Sequence, residues 1–278
     1  MTRSSRLLAG TATAALALTA ALGTATPAVA DHAGDPTIHP GVQTYTAGAQ
    51  CTANFIFTNG ADTFIGQAAH CSGTGGSTET DGCDSGSLPL GTPVEVNGAT
   101  KPGTMVYNSW LTMQDVNEQD ENACAYNDFA LIKLDPADAG RVSPEIPVIG
   151  GPTGINTEGV AFGESVYSYG NSSLRFGISQ LSPKEGTSLG TTGDGWTHPV
   201  YTVTPGIPGD SGSPFVDSSG RALGVLSTLA IAPLAGSNGV SDLSRALDYA
   251  NTFGGMNVSL VPGGAFTGEG AVVSGLLG

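Results

Sequence analysis

A histidine, an aspartate and a serine stand in three short segments whose residue types suit acyl transfer. His70 stands in the run QAAHC, Asp128 in NDFALIKL and Ser211 in PGDSGSP. A serine hydroxyl is a poor nucleophile near neutral pH unless a base lies within hydrogen-bond reach, and imidazole has a suitable pKa. A buried carboxylate then orients the ring and stabilises the imidazolium. We therefore predict that Ser211, His70 and Asp128 form a catalytic triad.

The glycine-rich run around the serine adds the donors that such a reaction needs. The backbone N–H groups of Gly209 and Ser211 are the predicted donors to the developing oxyanion, and glycine permits the tight turn that aims them. The chain order His, Asp, Ser differs from that of α/β-hydrolases, because no histidine follows Ser211. Each segment alone also fits a packed histidine or a simple loop, but the three together favour catalysis.

The first thirty residues have the layout of a secretory signal peptide. Arg3 and Arg6 precede an apolar stretch, and small residues stand at Ala28 and Ala30. A transmembrane anchor is the weaker alternative, since the stretch is short and rich in threonine. We therefore predict a secreted, extracellular protein with a signal peptide at 1–30 and a short N-terminal segment at 31–37.

Composition limits the partners of this chain. Only 12% of its residues are charged, and 9 basic against 24 acidic side chains give a net charge of −15. Such an acidic excess disfavours binding to nucleic acid phosphates and to anionic membranes. The 42 glycines and 17 prolines exclude a long helical bundle. We expect a turn-rich, monomeric β-protein whose partner is a protein or peptide substrate, with no nucleic acid or membrane partner.

Four cysteines follow the predicted signal peptide, and an even number in a secreted chain indicates two disulfides. Three pairings of these cysteines are open from the sequence alone. A zinc site is a weak alternative because the chain has no Cys-x2-Cys pair, so we predict no metal centre. The cysteines are Cys51, Cys71, Cys83 and Cys124.

The run DVNEQDEN at 115–122 is a cluster of oxygen ligands. We interpret it as a solvated acidic loop, with weak calcium binding near Asp115, Glu118 and Asp120 as the alternative. No cofactor is expected to be required for activity.

The rest of the chain contains short runs of β-branched and aromatic residues between turn signals, a pattern typical of sandwiches and barrels. One predicted strand covers Thr104 to Leu111. The one predicted helix covers 241–252, with Ser241 as its N-cap. A glycine-rich tail follows at 263–278.

From about Ile38 to Leu260, the chain resembles the chymotrypsin-fold serine endopeptidases through its AAHC, NDFALIKL and GDSGSP runs. Their spacing is similar to that of the secreted bacterial branch, such as alpha-lytic protease and the streptogrisins. The resemblance implies an all-β fold of two antiparallel six-stranded β-barrels with a C-terminal helix. The first barrel would cover 38–139 and the second 140–262.

The resemblance also implies a bridge between Cys51 and Cys71 beside the histidine, which leaves Cys83 with Cys124. In relatives, the residue six before the nucleophile lies at the base of the primary specificity pocket, and here it is Pro205. A proline offers no charge for a basic substrate side chain.

By the same resemblance, Ser227 and Leu229 would also contact substrate. Glutamate-specific relatives have a histidine where this chain has Leu226. We therefore expect a serine endopeptidase that cleaves after apolar or small residues. The alternative is a catalytically silent homologue that binds protein or peptide.

Two departures from the family pattern bear on the nucleophile loop. Ser213 replaces the usual second glycine of the GDSGG run. In animal relatives the residue equivalent to Asp210 pairs with a newly freed terminal amine. The sequence leaves open whether Ile38 or Asp31 becomes the terminus of the mature chain.

Overall fold

The structure is a computed structural model that describes residues 37–76, 80–230 and 236–268. The predicted signal peptide and the last ten residues of the glycine-rich tail lie outside the described residues. Within the described part, no helix has both the length and the apolar character needed to cross a membrane.

The N-terminal half forms an antiparallel sheet in which the C-terminal strand β14 also takes part. The strand order is β14-β3-β4-β7-β6-β5-β1-β2. The strands are β1 Gln43–Thr46, β2 Ala49–Thr52, β3 Ile56–Thr58, β4 Thr63–Gln67, β5 Pro93–Val96, β6 Gly103–Asn108, β7 Ala130–Lys133 and β14 Ser259–Leu260.

This sheet is open, so the closed six-stranded barrel expected for the first half is not confirmed. At one end of the sheet is β14, whose Ser259 pairs with Thr58 and whose Leu260 pairs with Phe57. The chain bends between β2 and β3, where Ala53 donates its N–H to the carbonyl of Val42 and Asn54 donates to that of Gly66.

The C-terminal half is a closed antiparallel barrel of six strands, which confirms the prediction for this half. The strand order around the barrel is β10-β13-β12-β11-β8-β9. The strands are β8 Phe162–Tyr169, β9 Pro183–Leu189, β10 Thr197–Thr202, β11 Pro214–Asp217, β12 Ala222–Ala230 and β13 Ser237–Asp242.

A buried apolar cluster joins the two halves. Phe55, Phe57 and Phe129 of the N-terminal sheet pack with Val216 and Val225 of the barrel. Neighbouring residues of β4 point to opposite faces of the sheet. Phe64 therefore packs in this cluster, whereas Ile65 packs in a second apolar cluster on the opposite face. Both faces of the sheet are therefore covered, which holds the loops between the halves in a fixed arrangement.

Three α-helices occur among the described residues, two more than the sequence predicted. They are α1 Ser109–Val116, α2 Glu121–Tyr126 and α3 Leu243–Thr252. The predicted strand over Thr104 to Leu111 ends at Asn108, because the Asn108 side chain accepts the N–H groups of Trp110 and Leu111 and caps α1. The predicted acidic loop at 115–122 is therefore partly helical.

Helix α3 begins later than predicted, with its N-cap displaced by one residue. Its N-cap is Asp242 rather than Ser241, and the Asp242 carboxylate accepts the N–H of Arg245 at 2.7 Å. Leu243, Leu247 and Ala250 lie on one face of the helix and belong to the cluster between the halves. The apolar face of the helix therefore packs against the cluster that joins the two halves.

Candidate active site

His70 and Asp128 lie side by side although 58 residues separate them in the chain. His70 stands on the 3-10 turn Ala69–Ser72 after β4, and Asp128 lies between α2 and β7. Nδ1 of His70 is 2.6 Å from Oδ2 of Asp128, and the backbone N–H of His70 donates to Oδ1 at 2.9 Å. A carboxylate only accepts, so Nδ1 holds the proton and Nε2 of the neutral ring is left with its lone pair. That is the tautomer which a general base needs.

The pair perturbs the pKa of both groups. Burial acts to lower the pKa of His70, but the charge and hydrogen bond of Asp128 outweigh it, so the pKa lies above its ordinary value of 6.5. Burial acts to raise the pKa of Asp128, but His70 and the hydroxyl of Ser227 outweigh it, so the pKa lies below its ordinary value of 3.8. Asp128 is therefore ionised at neutral pH.

Ser211 lies in the loop between β10 and β11 and lines the same cleft as His70. This cleft has a volume of about 820 Å³. Gly209 and Gly212 flank Ser211 with φ angles of 93° and 88°, a conformation that favours glycine. A Cβ at Gly209 would also come within 3.0 Å of the Ser172 hydroxyl. The glycines therefore permit the turn that presents Ser211 to the cleft.

Two peptide groups of this loop are held in a fixed orientation. The carbonyl of Pro208 accepts the Ser172 hydroxyl at 2.6 Å, and the carbonyl of Asp210 accepts the hydroxyl and the N–H of Ser213 at 2.5 and 3.0 Å. In a planar trans peptide the following N–H points the opposite way. The N–H groups of Gly209 and Ser211 therefore point away from these carbonyls, and neither donates to another described residue.

Ser213 thus has a structural role in the place where the family pattern has glycine. A glycine at this position has no side chain, so it could not donate this hydrogen bond to the carbonyl of Asp210. The extra hydrogen bond fixes the Asp210–Ser211 peptide group, whose N–H is one of the two predicted oxyanion donors.

Residue Thr52 connects the nucleophile loop to the N-terminal sheet. Its N–H donates to the carbonyl of Ser211 at 2.8 Å and its hydroxyl donates to the carbonyl of Gly209 at 2.7 Å. Gln50 also donates to the carbonyl of Gly209, at 3.0 Å. Sequence reasoning missed both residues, since nothing in their local sequence marks a partner about 160 positions away.

Asp210 is fully buried and pairs with two cations within the chain. Its carboxylate contacts the guanidinium of Arg175 and lies 3.3 Å from Nζ of Lys184. The N–H groups of Ser172 and Ile207 donate to the same carboxylate at 3.1 Å each. Ile38 does not take part, because it is buried and its N–H donates to Arg141. Sequence reasoning missed Arg175 and Lys184, since the resemblance offered only a terminal amine as a partner for Asp210.

Both disulfides that the resemblance implied are present. Cys51 bonds Cys71, with a Cα–Cα distance of 6.2 Å, and so links the end of β2 to the turn that bears His70. Cys83 bonds Cys124 of α2, the helix that precedes Asp128. Each cross-link therefore lies close in sequence to a residue of the predicted triad.

Two of the three residues predicted to contact substrate line the cleft, and the third does not. Ser227 and Leu229 line the cleft, and the hydroxyl of Ser227 is engaged with Asp128 at 2.5 Å. Pro205 is exposed and is not among the residues lining the cleft, whereas its neighbour Gly206 is. The buried residue Asn238, which sequence reasoning did not single out, lines the cleft as well.

In the acidic cluster, two of the three carboxylates accept hydrogen bonds from other groups of the protein. Glu118 accepts the hydroxyl of Tyr249 at 2.8 Å, and Asp120 caps α2 by accepting the N–H of Asn122 at 2.9 Å. Asp115 is exposed on α1. Calcium binding near these residues stays a prediction.

Two solved structures have an architecture similar to that of this chain. Thermobifida fusca protease A superposes with a TM-score of 0.54 at 20% identity, covering 81% of this chain and 99% of that protein. The chain therefore has the fold of bacterial chymotrypsin-like serine proteases. A second structure with this chymotrypsin-like fold is a glutamic acid specific serine protease that utilises a histidine triad in substrate binding. It superposes with a TM-score of 0.51 at 17% identity, covering 81% of this chain and 100% of that one. No family model and no curated protein matches the sequence.

Proposed function

We propose that the chain is a serine endopeptidase that hydrolyses peptide bonds through an acyl-enzyme. The observation that carries the proposal is the pairing of His70 Nδ1 with a buried, ionised Asp128, on a cleft that Ser211 also lines. The chymotrypsin-like fold supports the same class of reaction.

In this mechanism Nε2 of His70 takes the proton of the Ser211 hydroxyl while Oγ attacks the carbonyl carbon of the substrate. The N–H groups of Gly209 and Ser211 stabilise the oxyanion, and His70 then gives the proton to the leaving amine. Water attacks the resulting ester with His70 again as base, which releases the acid product and restores Ser211. Asp128 stays ionised throughout and stabilises the imidazolium.

The lining of the cleft favours an uncharged substrate side chain. Ile207, Leu226 and Leu229 contribute apolar walls, and His70 is the one titratable residue among the described lining residues. A basic substrate side chain would find no carboxylate there. This agrees with the expectation that cleavage does not follow arginine or lysine.

Secretion belongs to the same proposal. The signal peptide at 1–30 lies outside the described residues, and the two disulfides are consistent with an oxidising, extracellular setting. N-terminal sequencing of the exported protein tests this, and retention of Met1 in the exported chain would contradict it.

A fluorophosphonate probe tests the enzymatic proposal directly. The wild-type chain should be labelled, and Ser211→Ala should not be, while the exposed variant Ser219→Ala should be labelled like the wild type. A folded wild-type chain that resists the probe and leaves casein uncleaved would favour the silent, peptide-binding alternative.

A further inference from the structure

The carbonyl of Pro208 has a single hydrogen-bond donor within the described part of the chain. That donor is the hydroxyl of Ser172, which lies 2.6 Å away. The next two carbonyls of the same loop, those of Gly209 and Asp210, each accept two hydrogen bonds. The orientation of the Pro208–Gly209 peptide group therefore depends on one side chain, that of Ser172.

This peptide group contains one of the two N–H groups that the proposed function assigns to the oxyanion, that of Gly209. The amide bond is planar and rigid, so the group can turn over only by rotation about ψ of Pro208 and φ of Gly209. Proline restricts its own φ but not its ψ, and Gly209 has a φ of 93° and no Cβ. Backbone sterics at these two residues therefore oppose the rotation only weakly, and a turned peptide would aim the Gly209 N–H away from the cleft.

The hydroxyl of Ser172 has a fixed direction. Ser172 is 2% exposed, and its Oγ accepts the N–H of Leu174 at 3.1 Å. The N–H of Ser172 donates to the buried carboxylate of Asp210, also at 3.1 Å. A hydroxyl has one hydrogen, and here it points to the carbonyl of Pro208. Turning the peptide over would leave this buried hydrogen without its acceptor, which is costly.

The segment 171–175 that bears this hydroxyl is anchored to both halves of the molecule. The N–H of Asn171 donates to the hydroxyl of Thr52 in the N-terminal sheet at 3.1 Å. At the other end of the segment, the guanidinium of Arg175 contacts the carboxylate of Asp210. The donor to the Pro208 carbonyl is therefore held on a firm support.

We propose that Ser172 is a positioning residue, which holds the Pro208–Gly209 peptide group in the orientation that aims the Gly209 N–H at the oxyanion. This inference rests on the proposed function and goes beyond it, because it assigns a role to a residue outside the triad and the nucleophile loop. Ser172 is not among the described residues that line the cleft, so it acts through Gly209 and not on the substrate.

A purely structural role is the alternative. Ser172 is the N-cap of the 3-10 turn Ser173–Arg175, because its Oγ accepts the N–H of Leu174. A cap alone would contribute to the free energy of unfolding and would leave the chemical step of the folded protein unchanged. The two roles therefore differ in their effect on kcat.

Ser172→Ala removes the donor, and Ser173→Ala at the exposed neighbouring position is the matched control. The hydroxyl of Ser173 makes no hydrogen bond with the described residues. We expect Ser172→Ala to lower kcat by about tenfold or more with KM little changed, because substrate binding does not require the oxyanion donors. Ser173→Ala should behave like the wild type. Equal kcat in the two folded variants would overturn the proposal.

A peptide boronic acid gives a second measurement. Its boron forms a bond to Oγ of Ser211 and becomes tetrahedral, which places an oxygen where the oxyanion would lie. The inhibition constant should rise by about tenfold in Ser172→Ala. The matching peptide substrate should bind equally to Ser211→Ala and to the double variant that also has Ser172→Ala. Weaker binding of that peptide to the double variant would mean that Ser172 acts on substrate binding, which would overturn the proposal.

Amide NMR separates this inference from the proposed function, since it requires no turnover. The Gly209 resonance should broaden or double in Ser172→Ala, because the peptide group then exchanges between two orientations, and should stay single and sharp in Ser173→Ala. If the Gly209 resonance responds in this way but the wild type resists the fluorophosphonate probe, the proposed function alone is refuted. A labelled wild type whose Gly209 resonance stays single and sharp in Ser172→Ala would refute this inference and leave the proposed function standing.

Discussion

The hydroxyl of Ser227 donates to Oδ2 of Asp128 at 2.5 Å, and this is the same oxygen that lies 2.6 Å from Nδ1 of His70. Asp128 follows α2 in the N-terminal half, whereas Ser227 lies on β12 of the barrel. Ser241 of β13 also accepts the Asp128 N–H, at 3.3 Å. The carboxylate that orients the histidine is therefore positioned by both halves of the molecule.

Removing this contact should impair catalysis without unfolding the protein. We expect Ser227→Ala to lower kcat/KM by about tenfold, because one of the hydrogen bonds that fix the Asp128 carboxylate is lost. Steady-state kinetics on one peptide substrate measure the effect. Ser219→Ala, at an exposed position without this contact, is the control, and equal kinetics for the two variants would refute the role given to Ser227.

The pH profile of kcat/KM should reflect the raised pKa of His70. Activity requires the neutral ring, so kcat/KM should fall as the pH drops through the pKa of His70, with an apparent value above 6.5. Asp128→Asn removes the charge that raises this pKa, so the acid limb should move to lower pH while the remaining activity falls. Rates measured from about pH 5 to about pH 9 check both statements. A wild-type limb at or below 6.5 would contradict the first.

Lys184 should stabilise the fold through its buried contacts with Asp210 and the Thr204 carbonyl. We expect Lys184→Met to lower the free energy of unfolding by about 1–3 kcal/mol, less than for loss of a sole partner, because Arg175 still pairs with Asp210. Urea denaturation measures it. The exposed Lys101, paired with Asp135, provides the matched control, and a Lys101→Met variant that loses as much stability would argue against a special role for Lys184.

Ser213 should affect the chemical step more than substrate binding. Ser213→Ala removes the hydroxyl that holds the Asp210 carbonyl, which loosens the Ser211 N–H aimed at the oxyanion. We expect kcat to fall by about tenfold with KM little changed. Ser218→Ala serves as the exposed control. A change confined to KM would mean that Ser213 acts on substrate binding instead.

Local sequence patterns predicted the parts of the site that local chemistry dictates. The runs around His70, Asp128 and Ser211 each specify a turn or strand end, and the structure brings His70 and Asp128 into contact and places His70 and Ser211 on one cleft. The disulfide pairing came from the resemblance and was open from the residues alone. The resemblance also implied a closed barrel in each half, and the closed barrel is confirmed for the C-terminal half alone.

The missed features all depend on contacts between distant segments. Arg175, Lys184 and Asp210 lie on three separate segments of the C-terminal half, and nothing near Asn238 in the sequence shows that its side-chain nitrogen lacks a partner. The first half was expected to close because of the family resemblance, and no local pattern indicated that residues 259–260 pair with β3. The two extra helices were missed because Asn108 and Asp120, whose side chains cap α1 and α2, are equally typical of turns.

Strand β14 also makes the N-terminal half depend on residues that lie far along the chain. Ser259 and Leu260 pair with β3, and Val261 donates to the carbonyl of Ile56, some two hundred residues earlier in the chain. Without this stretch, β3 would present an unpaired edge and the apolar cluster would lack Val258. The half that bears His70 and Asp128 is therefore a non-contiguous unit, which a cut between α3 and β14 would leave incomplete.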